Sequence, residues 1–341
     1  MLNCGLLRLP ITSMLPADQT LPSAPLQRLD LPWLIEAGVE VAILRLDLID
    51  PLISGNKWFK LIYHLKAAQT AGAAGLITLG GAHSNHLHAL AAAGKRFGFQ
   101  TVGLLRGHPQ QTPTIEDLQA FGMQLHWLGY AGYRARHEAD FWLPWRELYP
   151  HLHGVPEGGG GLEGALGCAE IVRQGRSQLD AVGWTDYDGW WLASGTGTTL
   201  AGLALFEEGV RTIHGAMAVP QGHGVPENVA AIIHKHCRSA LARESGVSGD
   251  DKAADQNPSR ASALLRRCHV LDASRGGFAK TDPHLLAFID NCELQTGIPL
   301  EPLYTGKALL ALHDEVRAGR LPGGTRLIFV HTGGLQGKRA I

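Results

Sequence analysis

Paired cysteines are missing from this chain. Its five cysteines, Cys4, Cys168, Cys237, Cys268 and Cys292, are odd in number and scattered, with no CxxC spacing. That argues against a disulfide framework and a structural zinc site and fits reduced thiols. A dominant charge is lacking too: 30 Lys and Arg against 31 Asp and Glu leave a formal net charge of −1, so no overall field draws nucleic acid or an anionic membrane. No apolar run has the length of a membrane-spanning helix, and the start MLNCGLLRLPITSMLPADQ has no basic stretch followed by a long apolar one. These absences predict a cytoplasmic protein with a small-molecule partner, no nucleic acid and no membrane.

What is present is alternation. In 341 residues, 45% of them hydrophobic, strand-like and helix-like segments follow one another almost throughout, the pattern of parallel sheets covered by helices. VEVAILRL (39–46), GLITLGG (75–81), QTVGLLRG and QLHWLG (124–129) read as strands, separated by helices at 61–72, 85–98 and near 113–121. An aromatic-rich helix through 141–149 completes one unit, and the loop HGVPEGGGGLEG (153–164) marks its end. A second series runs from a helix at 164–178 through WWLAS, TIHGAMAV, CHVLDA and RLIFVH, with helices between. Two α/β units sharing a cleft are expected. The polar segment 238–262 is short of aromatics and reads as a surface insertion.

Five stretches could carry chemistry. In WWLASGTGTTLAG (190–202) an apolar strand enters a turn of Gly195, Thr196, Gly197, Thr198 and Thr199 and then a helix, so backbone N–H groups, hydroxyls and a helix N-terminus aim at one point, where a phosphate fits. A dinucleotide would want G-x-G-x-x-G and a later acidic residue, but the third glycine is Gly202 and TIHGAMAV is neutral. A Walker loop would want Gly-Lys-Ser/Thr. A lone phosphomonoester remains, as on pyridoxal phosphate; a packing turn is the competing reading. GGAHSNHLH (80–88) puts His83, Ser84 and Asn85 at a strand end, where ligands of open sheets sit, although Ser84 or Asn85 could simply cap the helix. His83, His86 and His88 invite a metal, yet no carboxylate or cysteine completes a site at suitable spacing, and no metal is expected. EPLYTGKALLAL (301–312) and LIFVHTGG (327–334) place Tyr304, Thr305 and Thr332 at element ends. Lys57 and Lys60 in SGNKWFKL (54–61) read as surface residues alone, and as Schiff-base candidates beside a phosphate cradle.

SGNKWFKL resembles the GNK-x-RKL motif of the 1-aminocyclopropane-1-carboxylate deaminase and D-cysteine desulfhydrase family, pyridoxal-phosphate enzymes of fold type II. GGAHSNHLH, WWLASGTGTTLAG and EPLYTGKALLAL resemble that family's GG-x-x-SN, S-x-TG-S/T-T and DP-x-Y-x-GK blocks in the same order, and PLQRLD (25–30) and HTGG match as well. The resemblance implies two open twisted parallel-sheet domains with helices on both faces, the active site in the cleft between them. The larger domain would be 1–59 with 153–341 and the smaller 60–152. It implies pyridoxal 5′-phosphate as cofactor, a small amino acid as substrate and a homodimer.

Carried over by position, the resemblance makes Lys57 the lysine that holds the cofactor covalently and Lys60 its neighbour near the phosphate. Asn85 would meet the ring oxygen, and Ser84 the substrate carboxylate or a moving proton. Gly195, Thr196, Gly197, Thr198 and Thr199 would cradle the phosphate, and Tyr304 would take part in proton transfer. The cyclopropane deaminases have a glutamate at the ring nitrogen where this chain has Thr305, and a leucine where it has Thr332. Both differences resemble the desulfhydrases. Phe278 in GGFAKTD stands where the family has a second tyrosine, and Trp58 and Phe59 replace polar residues. The expectation is β-elimination giving a 2-oxo acid and ammonia, with D-cysteine as the substrate. The alternatives are cyclopropane ring opening and a cofactor-binding protein without turnover.

Overall fold

The computed structural model describes residues 22–244 and 258–340. Cys4, residues 1–21 of the larger expected domain and residues 245–257 of the expected insertion lie outside the described residues.

Two sheets form the frame. The first orders its strands β1 (Leu26–Arg28), β2 (Glu40–Arg45), β10 (Arg326–His331), β7 (Gly189–Ser194), β8 (Thr212–Met217) and β9 (Cys268–Asp272). All its pairings are parallel except the edge pair of β1 with β2. The second sheet is wholly parallel, with β5 (Gln124–Trp127), β4 (Gln100–Leu105), β3 (Gly75–Gly80) and β6 (Leu152–Val155) in that order. Strands covered on both faces read as unbroken apolar runs, as every residue of β3 and of β7 does by being buried.

Several expectations change in detail. β6 lies in what reads as pure loop, because proline and glycines just after it mask a four-residue strand that pairs with β3 from Gly75 to Thr78. The helix expected at 164–178 is two, α7 (Gly161–Gly167) and α8 (Ala169–Arg176), joined at Cys168. The expected insertion is narrower. α10 (Val225–Glu244) continues into it, and α11 (Pro258–Leu265) closes it with Ala261 and Leu264 buried, since their apolar side chains pack under α10 and the helix Thr198–Glu207. The four described cysteines are free. Among the described residues no helix is long and apolar enough to cross a membrane.

α9 (Thr198–Glu207) is apolar all round and almost entirely buried against the first sheet. Its one charged residue, Glu207, is held by Arg176, Tyr187 and the Trp190 indole, so the carboxylate is not left without partners. This rigid strand, turn and helix carry one wall of the site.

Candidate functional site

SGNKWFKL, WWLASGTGTTLAG and LIFVHTGG follow or end strands β2, β7 and β10 of the first sheet and GGAHSNHLH ends β3 of the second, at the C-terminal ends where open α/β sheets bind ligands, and EPLYTGKALLAL joins them through Tyr304 beside Gly195. β2 leads to a turn at Gly55 (φ 69°), from which α2 (Asn56–Thr70) starts. A Cβ on Gly55 would stand 1.9 Å from Thr332 O, so only glycine permits this approach of two backbones. The Asn56 N–H donates to that same Thr332 carbonyl at 3.2 Å. Gly334, two residues on, presses against the Asn85 amide.

Lys57 is thus placed in the first turn of α2, and its Nζ donates to Asn56 Oδ1 at 2.9 Å. Part of the residue reaches solvent, but the ammonium is enclosed, and burial together with the Lys60 charge holds its pKa well below the usual lysine range. Lys60 donates to Gly158 O at 3.3 Å, and burial lowers it to about 8. Neither lysine ion-pairs with a described carboxylate.

The turn after β7 faces them. Gly197 (φ 76°) precedes α9 and offers no side-chain cap, leaving the first N–H groups of that helix for another acceptor. Thr196 and Thr198 share a hydrogen bond at 3.0 Å, and Thr199 Oγ1 accepts from Asn56 Nδ2 at 2.8 Å. A Cβ on Gly195 would touch the Tyr304 ring at 3.2 Å. Two enclosed ammoniums, three hydroxyls and an uncapped helix N-terminus without a protein anion among them make an anion cradle, and they fit the phosphate and aldehyde ends of pyridoxal phosphate.

Ser84 caps α3 (Asn85–Phe97), accepting from Leu87 N–H at 3.2 Å. Asn85 Oδ1 accepts from Gln336 Nε2 at 2.9 Å, which leaves its Nδ2 as an unused donor suited to an anionic ring oxygen. His86 and His88 part company: His86 Nε2 reaches Thr78 at 3.0 Å and His88 Nε2 reaches Asp117 at 3.1 Å.

Tyr304 precedes α13 (Thr305–Arg317), and its ring meets the edge of Phe278 with centroids 5.6 Å apart. Burial raises the Tyr304 phenol above its ordinary range, so the hydroxyl keeps its proton. Thr305 is fully buried, and its hydroxyl exchanges hydrogen bonds with Glu301. Glu301 in turn accepts from the N–H groups of Leu303, Tyr304 and Thr305, yet burial still pushes it up to about 7.

Sequence reasoning passed over three contributors. Asn56, the middle of GNK, ties Lys57 to Thr199. The glycines at 158–160, read as punctuation, wrap the cradle: Cβ atoms at Gly158 and Gly159 would meet Thr196 at 2.9 Å and His86 at 3.1 Å. With Gly161 they make four glycines in a row, more than a turn needs, and that excess was the available signal. Glu301 stands four residues before Thr305 at a helix start, where an acid satisfies free N–H groups.

A match to the family described as pyridoxal-phosphate dependent enzymes spans residues 21–333. A Pyrococcus horikoshii protein provisionally named 1-aminocyclopropane-1-carboxylate deaminase is 28% identical over 313 residues, covering 89% of this chain and 86% of its own. A Pyrococcus furiosus protein with the same provisional name is 28% identical, covering 88% and 86%. A crystal structure described as an ACC deaminase homologue superposes with a TM-score of 0.73 at 26% identity, over 96% of this chain and 95% of that one. The sequence resemblance and the folded cradle meet in one conclusion: the chain belongs to the pyridoxal-phosphate dependent enzymes, with the fold-type-II architecture and pyridoxal phosphate as its cofactor.

Proposed function

We propose that this enzyme is a lyase that eliminates the β-substituent of a small amino acid, with D-cysteine as substrate. D-Cysteine and one water then give pyruvate, hydrogen sulfide and ammonia. The observation that carries this reading is Thr305. Beside Tyr304 the site offers a neutral hydroxyl already bonded to Glu301, where ring opening of a cyclopropane calls for a carboxylate at the ring nitrogen.

When bound, pyridoxal phosphate withdraws electrons from the substrate Cα and so makes its hydrogen acidic. The chain's own groups do the rest. Lys57, its pKa depressed by burial and by Lys60, is available as a neutral amine that holds the cofactor and then takes the proton from Cα. Lys60, Gly195, Thr196, Gly197, Thr198 and Thr199 would hold the phosphate. Asn85, whose Oδ1 is taken by Gln336, would orient the ring through Nδ2. Ser84 and the protonated Tyr304 hydroxyl line the substrate side, where Tyr304 can give its proton to the leaving sulfur. Phe278 offers no hydroxyl there, which favours a single proton donor.

The relatives' provisional name supports a second reading, cyclopropane ring opening. Measuring 2-oxo acid release from D-cysteine, L-cysteine, β-chloroalanine and 1-aminocyclopropane-1-carboxylate decides: turnover of the cyclopropane acid alone would overturn the first reading. We further place the enzyme in the cytoplasm as a homodimer, with 1–59 and 153–341 forming the larger domain and 60–152 the smaller. Sedimentation tests the dimer, and separate unfolding of 60–152 under hydrogen exchange tests the division.

A further inference from the structure

Of the two ring nitrogens of His86, one has a partner and one has none among the described residues. Thr78 Oγ1 has a single proton and donates it to Val155 O at 2.8 Å, so toward His86 Nε2 at 3.0 Å it can only accept. The ring hydrogen therefore sits on Nε2, and Nδ1 carries a bare lone pair. That atom is buried in a residue 1% exposed, and among the described residues none donates to it. A buried acceptor without a donor is rare enough to need a reason.

The reason stands next to it. A Cβ on Gly159 would lie 3.2 Å from His86 Nδ1 and 3.3 Å from Lys60 Cβ, so the imidazole and the lysine stem meet over the same glycine. The Lys60 ammonium uses one N–H, on Gly158 O. Burial above all, and then the charged or titratable groups acting on the ring, Lys57, His64 and Lys60, keep it neutral and accepting.

We propose that His86 is a positioning residue for the cofactor phosphate. In the loaded enzyme its Nδ1 accepts a hydrogen bond from Lys60 Nζ, which fixes the ammonium between Gly158 O and the 195–199 turn with its third N–H left for a phosphate oxygen. Thr78 is part of the device, because it dictates which ring nitrogen accepts. The inference rests on the reading that Lys60 faces that phosphate.

The test compares half-saturation of the full chain by pyridoxal phosphate and by unphosphorylated pyridoxal, read from the absorbance of the lysine-bound cofactor. His86→Phe keeps the ring volume and removes the lone pair; His86→Asn returns an acceptor near Nδ1. His86→Phe should weaken pyridoxal phosphate about 10-fold and pyridoxal less than about twofold, as for one lost hydrogen bond to a charged group. His86→Asn should recover most of the loss. In a Lys60→Met background His86→Phe should add nothing. Equal weakening of both ligands, or an undiminished His86→Phe effect in that background, overturns the proposal. If Lys60→Met leaves the two ligands' ratio unchanged, the phosphate reading of Lys60 fails before the His86 inference is reached. Should His86→Phe not fold, Thr78→Val carries the test, since freeing Nε2 from its acceptor should weaken pyridoxal phosphate selectively and an unchanged ratio would refute the device.

Discussion

Asn56 Nδ2 donates to Thr199 Oγ1 at 2.8 Å across 143 residues of chain, while its Oδ1 accepts from Lys57. One amide therefore ties Lys57 to the 195–199 turn. Asn56→Asp replaces the donor by an acceptor and sets a negative charge against Lys57. The Lys57 pKa should rise, and the acid limb of the pH profile of kcat/KM should move upward with activity at neutral pH down roughly 10-fold or more. An unmoved limb would remove Asn56 from the lysine's electrostatics.

The two lysines separate by experiment. Lys57→Ala should abolish the absorbance of the lysine-bound cofactor and lower turnover by about 10²–10⁴-fold, as for a lost general base. Lys60→Ala should keep that absorbance at saturating cofactor and weaken retention instead. The opposite behaviour would reverse the assignment.

With burial lowering Lys60 to about 8 and the proposed function placing it at the phosphate, the affinity for pyridoxal phosphate should fall as pH rises through that value, when the positive charge is lost. Binding should take up protons above pH 8. In Lys60→Met the dependence should flatten, which equilibrium titrations between pH 7 and pH 9 can read.

Glu301 links the site to stability. A carboxyl raised from 4.5 to about 7 by burial is protonated more readily folded than unfolded. Its contribution is complete below the unfolded pKa and is lost as pH rises through 7, about 3 kcal/mol in all. Relative to Glu301→Gln, the wild type should be more stable at pH 5 than at pH 8 in urea unfolding. A pH-independent difference between the two would show that the carboxyl is ionised throughout.

Thr305→Glu, the substitution that would imitate the cyclopropane deaminases, meets an obstacle beneath it. A second carboxylate in this fully buried position would face Glu301, so the single change should cost about 3 kcal/mol or more in thermal or urea unfolding. Adding Glu301→Gln should restore at least half of that and raise turnover of the cyclopropane acid relative to D-cysteine. A double variant no better than the single one would clear Glu301 of this role.

The fold was legible wherever a local rule dominates. Short apolar runs bounded by glycine, such as GLITLG and GWWLAS, read as strands covered on both faces, and Ser84 and Gly98 bound α3 by their own cap chemistry. β6 was not, because a strand of four residues beside proline and glycines has no periodicity of its own and exists through its pairing with β3. The same holds for α11, whose apolar residues are too few to stand out from a polar segment until α9 and α10 cover them.

At the site, the sequence by itself determined which chemical groups are available: the GNK lysine, the glycine–threonine turn, the Ser-Asn pair and the Tyr-Thr pair, because each needs a particular side chain at a particular element end. Tertiary structure alone decided how those groups are tuned. The depressed pKa of Lys57 comes from burial and from Lys60, the orientation of Thr305 from Glu301, and the bare nitrogen of His86 from a hydroxyl on β3 whose proton is committed to β6. Charge and hydrogen-bond direction depend on neighbours that are distant in the chain, and the chain order does not record those distances.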